Sequence, residues 1–185
     1  MSRHYSKGMK DISLTGFMGS GKSSVGKALA ALLPDRELID LDEAIEKTSG
    51  RTIPDIFKED GEKVFRQIEK KALESIARSG RGRIISLGGG TVTTPACREI
   101  LKESSVCFYL KASVDTLVEN LKGESSSRPL LSPGGNAVSE ENLRDRITGL
   151  MGKRESCYLA AADHVIVTDG RDVNDIAAEI ASLAR

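Results

Sequence analysis

The chain has 185 residues, 39% hydrophobic and 29% charged, with twenty-seven Lys and Arg balanced by twenty-seven Asp and Glu. That length suits one domain with a packed core, and a net charge of zero excludes recognition of nucleic acid or anionic lipid through a basic surface. Two histidines and three well-separated cysteines (Cys97, Cys107 and Cys157) exclude a His-rich metal site and suit a reduced, cytoplasmic compartment.

In chain order, the first eleven residues are polar and lack the apolar stretch of a signal peptide, and residues 1–10 could stay disordered. No apolar run reaches the ~18 residues that a membrane helix needs. Short apolar runs at 12–14, 38–41, 84–87, 106–110 and 165–167 read as buried strands. Helical periodicity occupies 22–33, 62–78, 114–121, 140–162 and 173–183. Within 62–78, Val64, Phe65, Ile68, Ala72, Leu73, Ile76 and Ala77 are expected on one face. Strands alternating with helices predict an α/β fold, a parallel sheet covered on both faces. Ligands of such sheets bind at the carboxyl ends of the strands.

The first strand runs into Gly16-Phe17-Met18-Gly19-Ser20-Gly21-Lys22-Ser23, which satisfies G-x-x-x-x-G-K-[ST] at every fixed position. Such a loop turns its amides toward phosphate oxygens, and the following helix directs its positive end at them. Lys22 would reach the β- and γ-phosphates, and the Ser23 hydroxyl would ligate Mg²⁺. A tight turn without a ligand is the plainer alternative.

The second run ends in Asp40-Leu41-Asp42, and strand alternation would put both carboxylates on one side. One could hold a metal's water shell while the other orients an acceptor hydroxyl; alternatively, Asp42 caps a helix starting at Glu43. The third run ends in Gly88-Gly89-Gly90, expected either where backbone passes close to a ligand or as a flexible turn. Residues 123–136, GESSSRPLLSPGGN, cannot form a helix and exceed ordinary loop length. With Arg128 at its centre and Leu130-Leu131 beside it, this segment reads as a lid that closes over phosphates.

Taken with IPDIFKEDGEKVFRQIE, SSRPLL and RESCY, these motifs resemble shikimate kinase from about residue 12 to 181. The resemblance implies a single domain over 1–185, a three-layer α/β/α fold with a five-stranded parallel sheet. Its substrate-binding region would span about 42–79 and its lid about 122–137. The implied activity is phosphorylation of the 3-hydroxyl of shikimate, with ATP as co-substrate and one Mg²⁺, by a cytoplasmic monomer. Gly19, Ser20, Gly21, Lys22, Ser23 and Ser24 would bind nucleotide, joined by Arg128 from the lid and Arg171 beside the adenine. Lys22, Asp42 and Arg128 would be catalytic, with Asp42 as base or hydroxyl orienter. Ser23 and Asp40 would serve the metal. Arg66 and Arg154 would clamp the shikimate carboxylate, Glu69 would hold Arg66, and Gly88, Gly89 and Gly90 would line the pocket.

The residues alone allow plainer readings: Arg66 could form a helix-surface ion pair with Glu69 or Glu62, and Arg154 could belong to a charged helix face. Near the adenine, Asp172-Val173 departs from the family's usual turn, and Lys122 is the candidate upstream basic contact. The rivals to a shikimate kinase are a kinase of another polyol acid, such as gluconate, and a non-catalytic nucleotide-dependent module.

Overall fold

Five short strands, β1 (Asp11–Thr15), β2 (Leu38–Asp40), β3 (Ile84–Ser86), β4 (Ser105–Lys111) and β5 (His164–Val167), form one parallel sheet in the order β2-β3-β1-β4-β5. The structure, a computed structural model, describes residues 9–80, 82–122 and 139–184. Eight helices among these residues connect and cover the strands: α1 (Lys22–Leu32), α2 (Leu41–Ser49), α3 (Ile53–Glu59), α4 (Gly61–Arg78), α5 (Pro95–Ser104), α6 (Val114–Leu121), α7 (Glu140–Ala161) and α8 (Val173–Leu183). A short 3-10 turn, Thr91–Thr93, precedes α5.

Neighbouring strand residues point to opposite faces, so each strand feeds two cores. Ile12, Leu14, Ile84 and Phe108 pack on one side against Val25 and Leu29 of α1 and Ile176 and Ile180 of α8. Ile85 and Tyr109 face the other side, where α2 to α7 supply Ile45, Phe65, Leu73, Leu101, Leu117 and Ile147. This is the three-layer α/β/α arrangement that the alternation predicts. No helix among the described residues is long and apolar enough to cross a membrane.

The chain leaves β1 between β3 and β4, one on either side, so the sheet's connections diverge there. A crevice opens at the carboxyl end of such a junction, and β1 delivers the glycine-rich loop into it.

Three helices, α2, α3 and α5, lie where the periodicity gave no clear signal. Each is ten residues or shorter and begins with local chemistry that a reading of longer periods passes over. Thr52 accepts from the N–H of Asp55 to cap α3, and Pro54 and Pro95 occupy the first turns of α3 and α5. The expected strand 38–41 stops at Asp40, and Leu41 opens α2. Val64 does not join the buried face of α4; it is exposed, and Phe65, Glu69, Leu73 and Ile76 form that face instead.

Candidate active site

Residues 16–21 form the turn between β1 and α1, with Gly21 at φ 90° as the residue before the helix, a conformation that favours glycine. Ser20 is buried and its N–H donates to the Phe17 carbonyl at 3.1 Å. Lys22 Nζ donates to the carbonyls of Gly16 and Phe17, both at 2.9 Å, which folds its ammonium back over the loop. Gly19, Gly21, Lys22, Ser23 and Ser24 line one wall of a cavity of about 610 Å³. Asn120 of α6 braces this wall by donating to the Gly19 carbonyl at 2.9 Å.

Asp40, Asp42 and Gly89 line the same cavity, but the two aspartates meet there by a different route from strand alternation. Asp40 ends β2 and is itself the cap of α2: its Oδ1 accepts from the N–H groups of Asp42 at 3.0 Å and Glu43 at 3.3 Å. Asp42 is therefore the second residue of the helix, not its cap, and its carboxylate is left for the cavity. Burial, the charges of Asp40 and Glu69, and only partial relief from Lys22 and Arg66 push its pKa up to about 6.

The side expected to take the acceptor is built around Gly88–Gly90. A Cβ on Gly90 would overlap the Arg66 guanidinium, and one on Gly88 would lie 2.7 Å from Asp42 Oδ1 and 3.2 Å from Glu69 Oε1. The glycines are there because side chains crowd the backbone, which answers the alternative of a flexible turn. Arg66 pairs with both candidate partners: Nη1 with Glu69 Oε2 at 2.8 Å and Nη2 with Glu62 Oε1 at 3.0 Å. Glu69 is fully buried, and its Oε1 accepts from Thr91 Oγ1 at 2.6 Å.

Arg154 is not on a charged helix face. It is 7% exposed, and its Nη1 approaches the Gly89 carbonyl at 3.4 Å, where the Tyr158 hydroxyl also donates at 2.5 Å. It forms no ion pair among the described residues. Tyr158 in turn stacks on Tyr109 with ring centroids 5.0 Å apart, and burial lifts its pKa to about 12, keeping it a neutral donor. Two guanidinium groups, from α4 and α7, thus reach the same three-residue turn.

Arg171 stands apart from this convergence. Its guanidinium bonds the Val167 carbonyl at 3.2 Å and Glu179 at 2.6 Å, so of its segment only Val173 lines the cavity. Lys122 pairs with Glu119 at 2.7 Å and Glu140 at 3.2 Å. Arg128 and the expected lid, about 122–137, lie outside the described residues except for Lys122 itself. Thr91 and Tyr158 are contributors that motif reading missed. The available signal was a polar residue adjoining Gly88–Gly90 and an aromatic four residues from Arg154 on one helix face.

Fold and site together define a phosphate-loop transferase acting on a small acceptor. The shikimate kinase family model matches residues 18–185. A shikimate kinase of Chlorobaculum tepidum is 43% identical over 163 residues, covering 88% of this chain and 83% of that protein. One of Geobacter sulfurreducens is 39% identical over 95% of this chain and 91% of its own. Among solved structures, the shikimate kinase of Acinetobacter baumannii in complex with shikimate superposes with a TM-score of 0.85 at 34% identity, covering 95% of this chain and 93% of that one. The chain belongs to the shikimate kinase family. A gluconokinase of Sinorhizobium meliloti, at 17% identity and a TM-score of 0.52, shares the fold alone.

Proposed function

We propose that this chain transfers the γ-phosphoryl group of ATP to the 3-hydroxyl of shikimate, and that Arg154 identifies the acceptor's chemistry. A buried guanidinium without a carboxylate partner is costly unless a ligand supplies the negative charge. Arg154 beside Arg66, at a turn that also faces Asp42, suits a compact molecule bearing one carboxylate and several hydroxyls. Arginine presents parallel donors in a plane that matches a carboxylate.

In this reading the acceptor's carboxylate meets Arg66 and Arg154, and its hydroxyl is directed at Asp42. Asp42, ionised at neutral pH but with a raised pKa, accepts the hydroxyl proton as the oxygen–phosphorus bond forms and the bridge to ADP breaks. Lys22 leaves the loop carbonyls for the phosphates, and the loop amides hold them in line. Arg128 completes the charge neutralisation.

Ser23 and Asp40 fit a hard cation that keeps most of its waters. Both offer oxygen to the cavity, and Asp40 Oδ2 has no hydrogen-bond partner among the described residues. Mg²⁺ held there would neutralise phosphate charge. The three free thiols suit a reducing cytoplasm. We assign residues 42–79 to acceptor binding and 122–137 to the lid, within one monomeric domain.

ADP release from Mg·ATP, measured with shikimate, quinate and gluconate in parallel, tests the reading. A large stimulation by shikimate alone is expected. Stimulation by quinate or gluconate instead would keep a carboxylate-bearing acceptor but overturn shikimate as the substrate, and turnover indifferent to every acceptor would make the chain a nucleotide-dependent module.

A further inference from the structure

The Arg66 clamp depends on a side chain whose own orientation needs an explanation. Arg66 is held by two carboxylates of unequal value. Glu62 is mostly solvent-exposed, and an ion pair of that kind contributes little. Glu69 is buried completely, so it is the anchor. Yet a glutamate has three side-chain torsions, and one contact to an arginine does not fix them. The second contact comes from Thr91, a fully buried residue of the 3-10 turn after Gly90, whose hydroxyl donates to Glu69 Oε1 at 2.6 Å. A hydroxyl-to-carboxylate bond of that length belongs to the stronger class. The Thr91 N–H meanwhile donates to the Gly88 carbonyl at 3.2 Å. One residue therefore ties the glycine turn to the carboxylate that aims the arginine.

We propose that Thr91 is a positioning residue for the acceptor: by fixing Glu69, it restricts Glu69 to one oxygen toward Arg66 and leaves the remaining guanidinium donors for the substrate carboxylate. Without the hydroxyl, Glu69 Oε1 is a buried acceptor lacking its partner, close to the Asp42 carboxylate. Its nearest remedy is to turn both oxygens onto Arg66, which withdraws that side chain from the ligand. The inference rests on the assignment of Arg66 to the acceptor carboxylate.

The test is steady-state kinetics on Thr91→Val, which keeps the shape without the hydroxyl, with Thr91→Ala and Thr91→Ser as a second pair differing in the hydroxyl alone. The KM for shikimate should rise on the order of tenfold in the Val and Ala variants. The KM for ATP should stay within about twofold, and Ser should restore the shikimate KM to within about twofold. In an Arg66→Ala background, Thr91→Val should raise the KM no further, because the path runs through Arg66. A lowered thermal midpoint with an unchanged shikimate KM in both Val and Ala variants would make Thr91 a packing residue and overturn the proposal. An unchanged KM in Arg66→Ala alone would overturn the clamp assignment, and this inference with it.

Discussion

Asp42 shows how a single residue can be set for chemistry at the expense of the fold. Its carboxyl sits in a partly closed cavity with two other carboxylates nearby, and its pKa rises from the ordinary aspartate value to about 6. In the unfolded chain that group ionises near pH 4. The folded protein therefore holds the proton more tightly, and between about pH 4 and 6 the charge becomes progressively more unfavourable to folding. Above pH 6 the whole penalty is present; below pH 4 it is absent. Asp42→Asn removes it. With ligands absent and EDTA present, the variant should be more stable than the parent at pH 7.5, on the order of 2 kcal/mol by urea denaturation. The gap should close as the pH falls toward 4. The same variant should lose ~10² or more in kcat if, as proposed, Asp42 takes the hydroxyl proton. A variant destabilised at pH 7.5 would return Asp42 to a structural role.

At the scale of the helix, the informative feature is a charged residue in an otherwise apolar stripe. On α4 the buried positions are Phe65, Glu69, Leu73 and Ile76, and on α7 they are Leu143, Ile147, Met151, Arg154 and Tyr158. Steps of three and four residues put each series on one face. Glu69 and Arg154 occupy places where leucine would pack, and both end at the glycine turn. The α4 stripe was legible in the sequence apart from Val64, whereas the α7 stripe and the places of Glu69 and Arg154 on these faces were not. A charged side chain beside other charged side chains, as in Lys153-Arg154-Glu155, lowers the apparent amphipathicity that marks a face. For α2 the sequence offered a helix from Glu43 capped by Asp42, two residues late, because Leu41 reads as a continuation of β2; it is the side chain of Asp40 that caps the helix and starts it at Leu41. The phosphate loop was the easiest element to read, because its chemistry is local and its spacing is fixed by backbone geometry. The contacts Thr91–Glu69 and Tyr158–Gly89 join residues 22 and 69 positions apart, a separation no local pattern records. If Arg154 is a substrate group and not a fold group, Arg154→Leu should raise the ligand-free thermal midpoint while increasing the shikimate KM ~10–100-fold. Loss of stability in that variant would mean that the guanidinium belongs to the core.

Over the whole molecule, the two ends of the parallel sheet carry different burdens. The carboxyl ends hold the charged and crowded groups: Asp40, Asp42, the glycine turn and the phosphate loop. The amino ends hold an ion pair of another kind. Asp11, first residue of β1, is fully buried; its Oδ1 accepts from the Arg83 N–H at 2.8 Å and its Oδ2 pairs with Arg83 Nη2 at 3.0 Å. Arg83 also donates to the Ser79 hydroxyl at 2.8 Å and to the Gly80 carbonyl, so the pair fastens the end of α4 to β1 and β3. That guanidinium has its carboxylate inside the protein, whereas Arg154 has only the Gly89 carbonyl and Tyr158 beside it and no ion-pair partner among the described residues. Along β1 the pair lies roughly 16 Å from the start of the phosphate loop. Removing one partner of a buried pair strands the other, which costs about 3–5 kcal/mol. Arg83→Leu should therefore lower stability by that order in urea unfolding, while the KM values for ATP and shikimate, measured well below the unfolding temperature, stay within about twofold. Asp42→Asn is expected to do the reverse, gaining stability and losing turnover. A change of substrate KM in Arg83→Leu, at a temperature where the variant is fully folded, would show that the two ends of the sheet are coupled and do not divide stability from function.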